Sequence, residues 1–357
     1  MALPFFDSGA RKRLDQVLAV DLGSRVTKAL LVQRQGDGFT VSASALLDAP
    51  IFEKTITADL LTEHLKVLAK AIPGKCKNLA LTIGVNDAIV RPVEMPPMPP
   101  DDMRAILKNA SRTYLQQELT GYVYDCYVLP AQQQAKPAES RAGGAPHKQK
   151  VLVAGAKQQL VDDLILGARN AGFIADTIHP TLIGPINAFE MVLPEIFHQE
   201  AVALVDIGFR SSSICLLQRG ELIVTRTVAM GGDKVTAAIS ESMNISYAEA
   251  EGLKLGMPQE VQLPMETVLT PLSRELRASM DFFEHQQDTV IGQIFVSGGS
   301  ARSQVVQQVL QAELMAECKL WNPLAKMKLE VPPERAAELE AVTSQLAAVV
   351  GAALAAL

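Results

Sequence analysis

The chain has 357 residues, of which 48% are hydrophobic and 20% are charged, a composition that excludes a disordered or fibrous protein. At about 100 to 200 residues per domain, this length predicts two or three packing units. The net charge is −6 at pH 7, so the chain has no overall positive field for a nucleic-acid backbone, and nucleic-acid binding is disfavoured.

The patterns of cysteine, histidine and apolar residues argue against a metal site, a disulfide framework and a membrane span. The four cysteines and five histidines are scattered along the chain, which predicts free thiols in a reducing compartment. Residues 346–357 form the longest uncharged apolar stretch, about half of the roughly 20 residues that a membrane-spanning helix needs, and are predicted to form a buried helix. Residues 1–13 carry their apolar run before their charges, so we predict no signal peptide.

The first predicted element is a hairpin that occurs twice. Residues 17–34 (VLAVDLGSRVTKALLVQR) predict two strands joined by a tight turn containing Asp21 and Gly23. The pattern returns 185 residues later at residues 202–219 (VALVDIGFRSSSICLLQR), with Asp206 and Gly208 in the turn. This period is too long for a solenoid and indicates a duplicated domain, the alternative being two unrelated strand pairs that share a turn.

The segment between the hairpins differs in composition and predicts an inserted unit. Five prolines in residues 92–100 exclude a helix there and predict an extended connector. Downstream patterns predict, in order, a helix at 101–119, a strand at 122–129, a mobile polar loop at 131–150, a strand at 151–154 and a helix at 157–170. We interpret these elements as a subdomain inserted into the first repeat, because another helical stretch precedes the second hairpin.

Two glycine-rich segments follow the second hairpin. Residues 230–233 (MGGD) introduce helical patterns in which Ser246 and Glu249 predict a capping box. A strand at 294–297 ends in Gly298-Gly299-Ser300, which is predicted to run directly into a helix at 301–314. Glycines at such a junction let the backbone approach a ligand closely, with the helix N-terminus facing it, as in nucleotide sites.

The two hairpins of a duplicated domain are expected to face each other across a cleft. Backbone N–H groups of both turns can bind phosphates, and Asp21 and Asp206 can hold Mg²⁺ through its waters. Lys28, shortly after the first turn, can add a positive charge. The alternative is ordinary structure, because Asp-x-Gly is common in turns and Lys28 can be a solvated strand residue.

Three motifs resemble those of the actin/Hsp70/sugar-kinase ATPase superfamily. Residues 20–28 and 205–213 resemble its two phosphate motifs, and residues 296–303 its adenosine motif. Within the superfamily the chain is most similar to the pilus-assembly family PilM, a relative of the division protein FtsA. This similarity follows in order and spacing through residues 93–119, 230–256 and 272–286, with Trp321-Asn322-Pro323 also fitting, and so covers nearly the whole chain.

The resemblance implies an α/β protein with the actin-like ATPase fold. Two duplicated RNase H-like halves would enclose a nucleotide cleft, and the insertion would be an SHS2-like subdomain called 1C. The implied boundaries are 1–91 and 172–200 for subdomain 1A, 92–171 for 1C, and 201–357 for domain 2, in which 2B covers about 233–285.

The resemblance also implies the ligands, ATP and Mg²⁺, and the residues that bind them. The matching phosphate-binding positions are Asp21, Gly23, Ser24, Lys28, Asp206, Gly208 and Ser211, with Asp21 and Asp206 also holding the metal through water. The matching adenosine-binding positions are Gly231, Gly232, Glu251, Lys254, Gly298, Gly299 and Ser300. Glu251 and Lys254 could instead form a plain surface pair. Phe209 replaces a small residue and is expected to crowd the phosphate end, and Ala110 stands where an acid is common.

The implied function is that of a cytoplasmic, ATP-binding assembly platform of a type IV pilus or type II secretion machine. It would bind the cytoplasmic N-terminal peptide of a PilN-like inner-membrane protein near the 1A/1C junction, and so be peripheral to that membrane. Self-association is a further option. Because no residue is identified that would orient a water, ATP hydrolysis is expected to be weak or absent.

Other functions remain open on the same fold. A small-molecule (sugar) kinase needs a carboxylate base in a polar sugar pocket, and residues 60–130 contain no recognisable motif of that kind. An FtsA-like division protein is disfavoured because residues 345–357 lack the lysines and arginines of an interfacial membrane helix. A chaperone-like reactivase is a further alternative.

Overall fold

The structure is a computed structural model that describes residues 14–74, 76–129 and 148–357. Within these ranges the strands are β1 (Gln16–Leu22), β2 (Val26–Gln35), β3 (Gly38–Asp48), β4 (Asn78–Ile83), β5 (Ala88–Met95), β6 (Tyr122–Val128), β7 (Gln149–Lys157), β8 (Ile174–Pro180), β9 (Ala201–Ile207), β10 (Ser212–Gln218), β11 (Glu221–Val228), β12 (Gln293–Ser297), β13 (Cys318–Leu320) and β14 (Met327–Leu329). The α-helices are α1 (Ala58–Ala71), α2 (Pro100–Leu115), α3 (Gln158–Asn170), α4 (Ile183–Val192), α5 (Pro194–Gln199), α6 (Gly232–Met243), α7 (Tyr247–Gly256), α8 (Gln262–Gln287), α9 (Gln304–Leu314), α10 (Pro333–Ala341) and α11 (Ala347–Ala356).

Two large sheets repeat one topology. Their strand orders are β14-β3-β2-β1-β4-β8 and β11-β10-β9-β12-β13. In the first sheet β1 pairs antiparallel with β2 and parallel with β4, and in the second β9 pairs antiparallel with β10 and parallel with β12. This shared arrangement confirms the duplication predicted from the two hairpins.

The central strands are apolar along their whole length because helices cover both faces of each sheet. Side chains alternate between the faces, so Val17 and Ala19 of β1 lie in one core and Leu18 and Val20 in another. Alternate residues of β9, including Val202, reach the same core as Val17. The two sheets therefore share one apolar layer between them.

Helices α4 and α11 form the centre of this shared layer. Nearly every residue of α11 is buried, which confirms the buried helix predicted for residues 346–357. The two backbones touch, since a Cβ atom added to Gly351 would lie 1.9 Å from the carbonyl oxygen of Gly184, and one added to Gly184 would lie 2.5 Å from that of Ala348. Side-chain-free positions on both helices are therefore required for this contact.

A third, smaller sheet is built by the insertion. Its order is β5-β7-β6, with both pairings antiparallel. Val151 and Val153 pack in a core with α2, whereas Leu152 and Ala154 join the layer shared by the two large sheets. The insertion also contacts the edge strand of the second sheet, where the Thr225 hydroxyl donates to the Val90 carbonyl at 3.0 Å.

The packing differs from the predicted domain boundaries at two places. Helix α3, expected within the insertion at 92–171, buries Leu160 and Leu164 in the core beside α1 because its apolar face matches that of α1. Strand β14, expected with residues 201–357, pairs with β3 of the first sheet, with Met327 opposite Phe39. The chain thus returns to its first half before α11.

The predicted helix end, loop and capping box agree with the structure to different degrees. Helix α2 ends at Leu115 rather than 119, because Gln116 takes a left-handed conformation with φ of 56°. Residues 131–147, most of the predicted mobile loop, lie outside the described residues, and its last residues, from Gln149, already belong to β7. The capping box of Ser246 and Glu249 is confirmed. In the ranges that the structure describes, no helix is long and apolar enough to cross a membrane.

The α4–α11 contact predicts a large effect of one methyl group. Gly351→Ala places its Cβ against the Gly184 carbonyl, which is backbone and can yield only if the helices separate. We expect a loss of about 1–3 kcal/mol in the free energy of unfolding, the usual cost of overpacking, measured by urea denaturation.

Gly252→Ala is the matched control. This glycine also lies in a helix, α7, but an added Cβ would meet no atom within 4 Å. Because alanine is a better helix former, the control should be neutral or up to about 1 kcal/mol more stable. Equal stability of Gly351→Ala and the wild-type protein would contradict the contact.

Candidate functional site

The first predicted carboxylate, Asp21, lies near the end of β1 and is held from both sides. In the sheet register Asp21 stands opposite Lys28 of β2 and Thr82 of β4. The Lys28 ammonium donates to Asp21 Oδ2 at 2.8 Å, and the Thr82 hydroxyl donates to Oδ1 at 2.6 Å. Asp21 is only 3% exposed, so burial and two donors fix its orientation.

The second predicted carboxylate, Asp206, occupies the equivalent position at the end of β9. Ser297 of β12 donates to Asp206 Oδ1 at 2.8 Å, as Thr82 does to Asp21. On the other side Asp206 stands opposite Ser213, so the second half has a serine where the first has Lys28. The carboxylate and its hydroxyl donor are thus present in both halves. The lysine opposite the carboxylate is present only in the first half.

Electrostatic coupling links the two carboxylates. Burial is the main cause that raises the pKa of Asp206 above its ordinary value, and the negative charge of Asp21 acts in the same direction. The Ser297 hydrogen bond and the positive charge of Lys28 act in the opposite direction. Lys28 and Asp21 belong to the first half, so the ends of the two central strands face each other.

The predicted glycines lie where backbones come too close for a side chain. A Cβ on Gly231 would be 2.4 Å from the carbonyl oxygen of Phe209, in the second hairpin turn. Gly298 has φ of +98°, and a Cβ there would be 2.4 Å from the carbonyl oxygen of Ile207. The backbone at the start of α6 and after β12 therefore lies directly against the second turn.

Hydrogen bonds complete this cluster around Gly208. The Gly208 carbonyl accepts from the Gly232 N–H and from the Ser300 hydroxyl, each at 3.0 Å, and the Gly208 N–H donates to the Ser211 carbonyl at 3.1 Å. Gly299 is exposed beside the Gln345 side chain. The predicted residues of the second half are therefore neighbours.

The first turn has fewer such contacts. Ser24 is exposed, and a Cβ on Gly23 would lie 2.5 Å from the Val26 carbonyl oxygen and 2.9 Å from the Lys28 ammonium. Gly23 thus lets the turn close tightly beside the lysine.

The predicted pair on α7, Glu251 and Lys254, is part of a network rather than a plain surface pair. The Lys254 ammonium donates to Glu251 Oε2 at 2.6 Å, to the Thr236 hydroxyl at 2.6 Å and to the Gly232 carbonyl at 3.1 Å. Burial lowers the pKa of Lys254. Burial favours a higher pKa for Glu251, but hydrogen bonds from Lys254, Thr236 and Arg25 outweigh it and the pKa is lowered. Glu251 is therefore held as a carboxylate.

Arg25 joins the two halves. Its guanidinium donates from Nη1 to Glu251 Oε1 and lies 5.1 Å from the centroid of the Phe209 ring. Phe209, expected to crowd the phosphate end, faces this guanidinium.

Sequence reasoning missed Arg25, Thr82, Thr236 and Ser297 as members of the site. Arg25 carried a signal, since it is repeated as Arg210 in the second hairpin. Thr82 and Ser297 each stand on the parallel neighbour of a hairpin strand, which only the sheet topology reveals.

The loop at 298–300, which was predicted to bind adenosine, leads into the next helix in a different way from that predicted. Residues 298–300 were expected to run directly into a helix at 301–314, but residues Ser300–Arg302 form one 3₁₀ turn and α9 begins at Gln304. The Ser303 N–H bonds to the Ser300 carbonyl, which tightens this turn and moves the start of the helix away from the loop.

Two duplicated α/β halves with paired carboxylates and glycine-rich connections define the actin-like ATPase fold. The structure of MreB 5 of Spiroplasma citri bound to AMPPNP is similar, with a TM-score of 0.52, 11% identity and 95% of each chain covered. The ethanolamine utilization protein EutJ from Carboxydothermus hydrogenoformans has a TM-score of 0.55 and 13% identity, covering 96% of this chain and 90% of its own. At these identities the likeness shows the fold alone.

The family model of the type IV pilus assembly protein PilM matches residues 19–357, and the chain belongs to this family. A PilM-PilN type IV pilus biogenesis complex contains a chain with a TM-score of 0.81 and 21% identity, covering 97% of this chain and 99% of its own. The cell division protein FtsA of Bacillus subtilis is 24% identical over 189 residues, which are 52% of this chain but only 42% of FtsA.

The raised pKa of Asp206 predicts a pH-dependent cost to the fold. A carboxyl whose pKa is raised by folding makes the native state bind more protons than the unfolded state, so stability falls as pH rises from the ordinary pKa through the raised one. The cost is therefore present at pH 7, which lies above the ordinary pKa, and it is complete only above the raised pKa. Asp206→Asn keeps an acceptor for Ser297 and should raise the melting temperature at pH 7 while reducing that fall.

Thermal unfolding between pH 3.5 and 8 measures this effect. Asp281→Asn, an exposed carboxylate on α8, serves as the control and should leave the shape of the pH profile unchanged. A melting temperature of Asp206→Asn at pH 7 equal to or below that of the wild-type protein would contradict the predicted cost.

Proposed function

We propose that the chain binds ATP with Mg²⁺ in the cleft between its two halves. The observation that carries this proposal is that Asp21 and Asp206 occupy equivalent ends of the two central strands, and that the Lys28 ammonium is bonded to Asp21. The glycine contacts around the second turn keep side chains out of the same region. MreB 5, with the same fold, was solved with AMPPNP, which supports a nucleotide as the ligand.

The donor set fits magnesium bound through its waters. Mg²⁺ usually keeps several waters and takes one or two carboxylates together with substrate phosphates. Asp21 and Asp206 supply two carboxylates, and no cluster of three metal-ligating side chains occurs in the part of the chain that the structure describes. When bound, the ion would neutralise charge on the phosphates. In this proposal nucleotide acts mainly as a conformational ligand that draws the halves together.

We further infer that the protein is an assembly platform of the type IV pilus that binds a peptide of a PilN-like inner-membrane protein. Membership of the PilM family and the likeness to the chain in the PilM-PilN complex support this role over a sugar kinase or an FtsA-like protein. The protein would then be held at the membrane through this partner.

A small pocket, with room for about one water molecule, marks the junction of the insertion and both halves, and we propose that the peptide lies across its mouth. Its lining comes from the β4–β5 turn, β5, the end of β8 and β11, and consists of Val85, Ala88, Val90, Arg91, Pro180, Leu182 and Thr227. Because three sheets border this pocket, a peptide there would be sensitive to movement between the halves. That is the property required of a platform whose nucleotide state controls its partner.

The nucleotide proposal predicts a specific loss in Asp206→Asn. Calorimetric titration of the wild-type protein should give tighter binding of ATP with Mg²⁺ than of ATP with EDTA. In Asp206→Asn this difference should shrink by about tenfold or more, because a charge-assisted contact contributes about 1.5–3 kcal/mol. Binding in EDTA should be retained. Asp281→Asn is the control and should match the wild-type protein.

Trp321 provides a second readout of the same titration. It is the single tryptophan of the chain and lies 5.4 Å from Phe189 of α4, which in turn lies 4.7 Å from Phe295 of β12. Closure of the halves should change the environment of this stack and hence the tryptophan emission. Absence of ATP binding by the wild-type protein in both measurements would refute the nucleotide proposal.

The partner proposal predicts that a bulky side chain at the mouth of this pocket blocks the peptide. Ala88→Phe should weaken binding of a labelled peptide from the cytoplasmic N-terminus of the PilN-like protein by about tenfold or more, equivalent to about 1.4 kcal/mol, in a fluorescence anisotropy titration. Ala105→Phe, on the exposed side of α2, is the matched control and should bind as the wild-type protein does. Unchanged affinity of a folded Ala88→Phe would place the peptide elsewhere.

A further inference from the structure

The Arg25 side chain connects the turn of the first hairpin with α7, across 226 residues of sequence. We propose that Arg25 exchanges partners when nucleotide binds, leaving Glu251 to the ribose and moving to the phosphate groups. Arg25 would then be the residue that makes the site prefer nucleotides to nucleosides. The inference rests on the proposed nucleotide function and adds a specificity residue to it.

The first step of the argument is that Glu251 has no unused carboxylate oxygen. Oε1 accepts from Arg25, and Oε2 accepts from Lys254 and the Thr236 hydroxyl. Because Oε2 already has two donors, a ribose hydroxyl that donates to Glu251 would have to share Oε1 with Arg25.

Arg25 is the donor that can leave. Thr236 is fully buried, and its one hydroxyl proton is within hydrogen-bond distance of both Glu251 Oε2 and the Gly232 carbonyl, to which Lys254 donates at 3.1 Å. Arg25, in contrast, has a side chain that is 44% exposed, whereas that of Glu251 is 13% exposed. An ion pair with such an exposed member is weak, so its exchange for a stronger contact is favourable.

The position of Arg25 determines its new partner. It follows Gly23 and Ser24, the residues predicted to bind phosphate, and its carbonyl accepts from the Ala49 N–H at 2.9 Å, which anchors the turn while the side chain moves. The guanidinium carbon lies 5.1 Å from the centroid of the Phe209 ring, which places the charge of Arg25 beside the second turn. Phosphate oxygens bind such a planar group through two parallel hydrogen bonds.

Other acceptors near the first turn are already engaged. Asp21 accepts from Lys28 and Thr82 through its two oxygens, so it does not compete for Arg25 in the described contacts. A nucleoside would replace Arg25 at Glu251 and offer the arginine no new anion. A nucleotide would replace it in the same way but offer its phosphate groups to the arginine. The exchange therefore favours ligands that carry phosphate.

The test compares ATP and adenosine on two arginine variants. In Arg25→Gln the affinity for ATP with Mg²⁺ should fall about tenfold or more, the effect of losing a charge-assisted contact, while the affinity for adenosine should stay equal or rise. Arg25→Lys, which keeps the charge but not the planar group, should lie between. Calorimetry and Trp321 emission supply the affinities.

Arg169→Gln is the control, because Arg169 is an exposed arginine near the end of α3 and lies outside both hairpins. Its ratio of ATP to adenosine affinity should equal that of the wild-type protein. Equal losses for both ligands in Arg25→Gln, or no loss for ATP, would show that Arg25 only braces the cleft and would overturn the assignment. If the wild-type protein binds neither ligand, the nucleotide function itself fails, and the assignment fails with it.

Discussion

The backbone contact between α4 and α11 is the constraint on which the arrangement of the two halves depends. Both helices are buried on nearly every side, and Gly184 meets Gly351 with no side chain between them. Residues of both central strands, among them Val17 and Val202, pack in the same layer. Separating the halves would expose this layer to water, so we expect the halves to turn about this layer rather than to separate when the cleft closes.

The duplicated geometry also explains why the site is not symmetric. Each central strand ends in an aspartate held by a hydroxyl from its parallel neighbour, Thr82 for Asp21 and Ser297 for Asp206. Only the first half adds a lysine from the antiparallel neighbour, and only the second half receives the glycine-rich backbone of α6 and β12. The first half therefore supplies the positive charge of a lysine, and the second half supplies backbone packed closely against its turn. Such a site suits a ligand with two chemically different ends.

Sequence reasoning succeeded where the signal was local. The hairpins, their carboxylates and the buried helix at the end of the chain follow from alternation, turn glycines and an uncharged apolar run. It failed where the partner is remote: Thr82 and Ser297 act through parallel pairing, Arg25 acts across 226 residues, and β14 returns to β3 by a register that no short pattern encodes. The 3₁₀ turn before α9 was missed because glycine and serine are compatible with both kinds of helix start.

The two-faced sheet of the insertion has a consequence for how such a protein can diversify. Residues such as Leu152 complete the common core of the large sheets, while alternate neighbours such as Val153 only support α2. Substitutions on the face that packs against α2 therefore change only the core of the insertion. Substitutions on the opposite face change the core that the two large sheets share. The sheet of the insertion can therefore accept changes on the face that packs against α2, whereas the opposite face is tied to the core that both halves share.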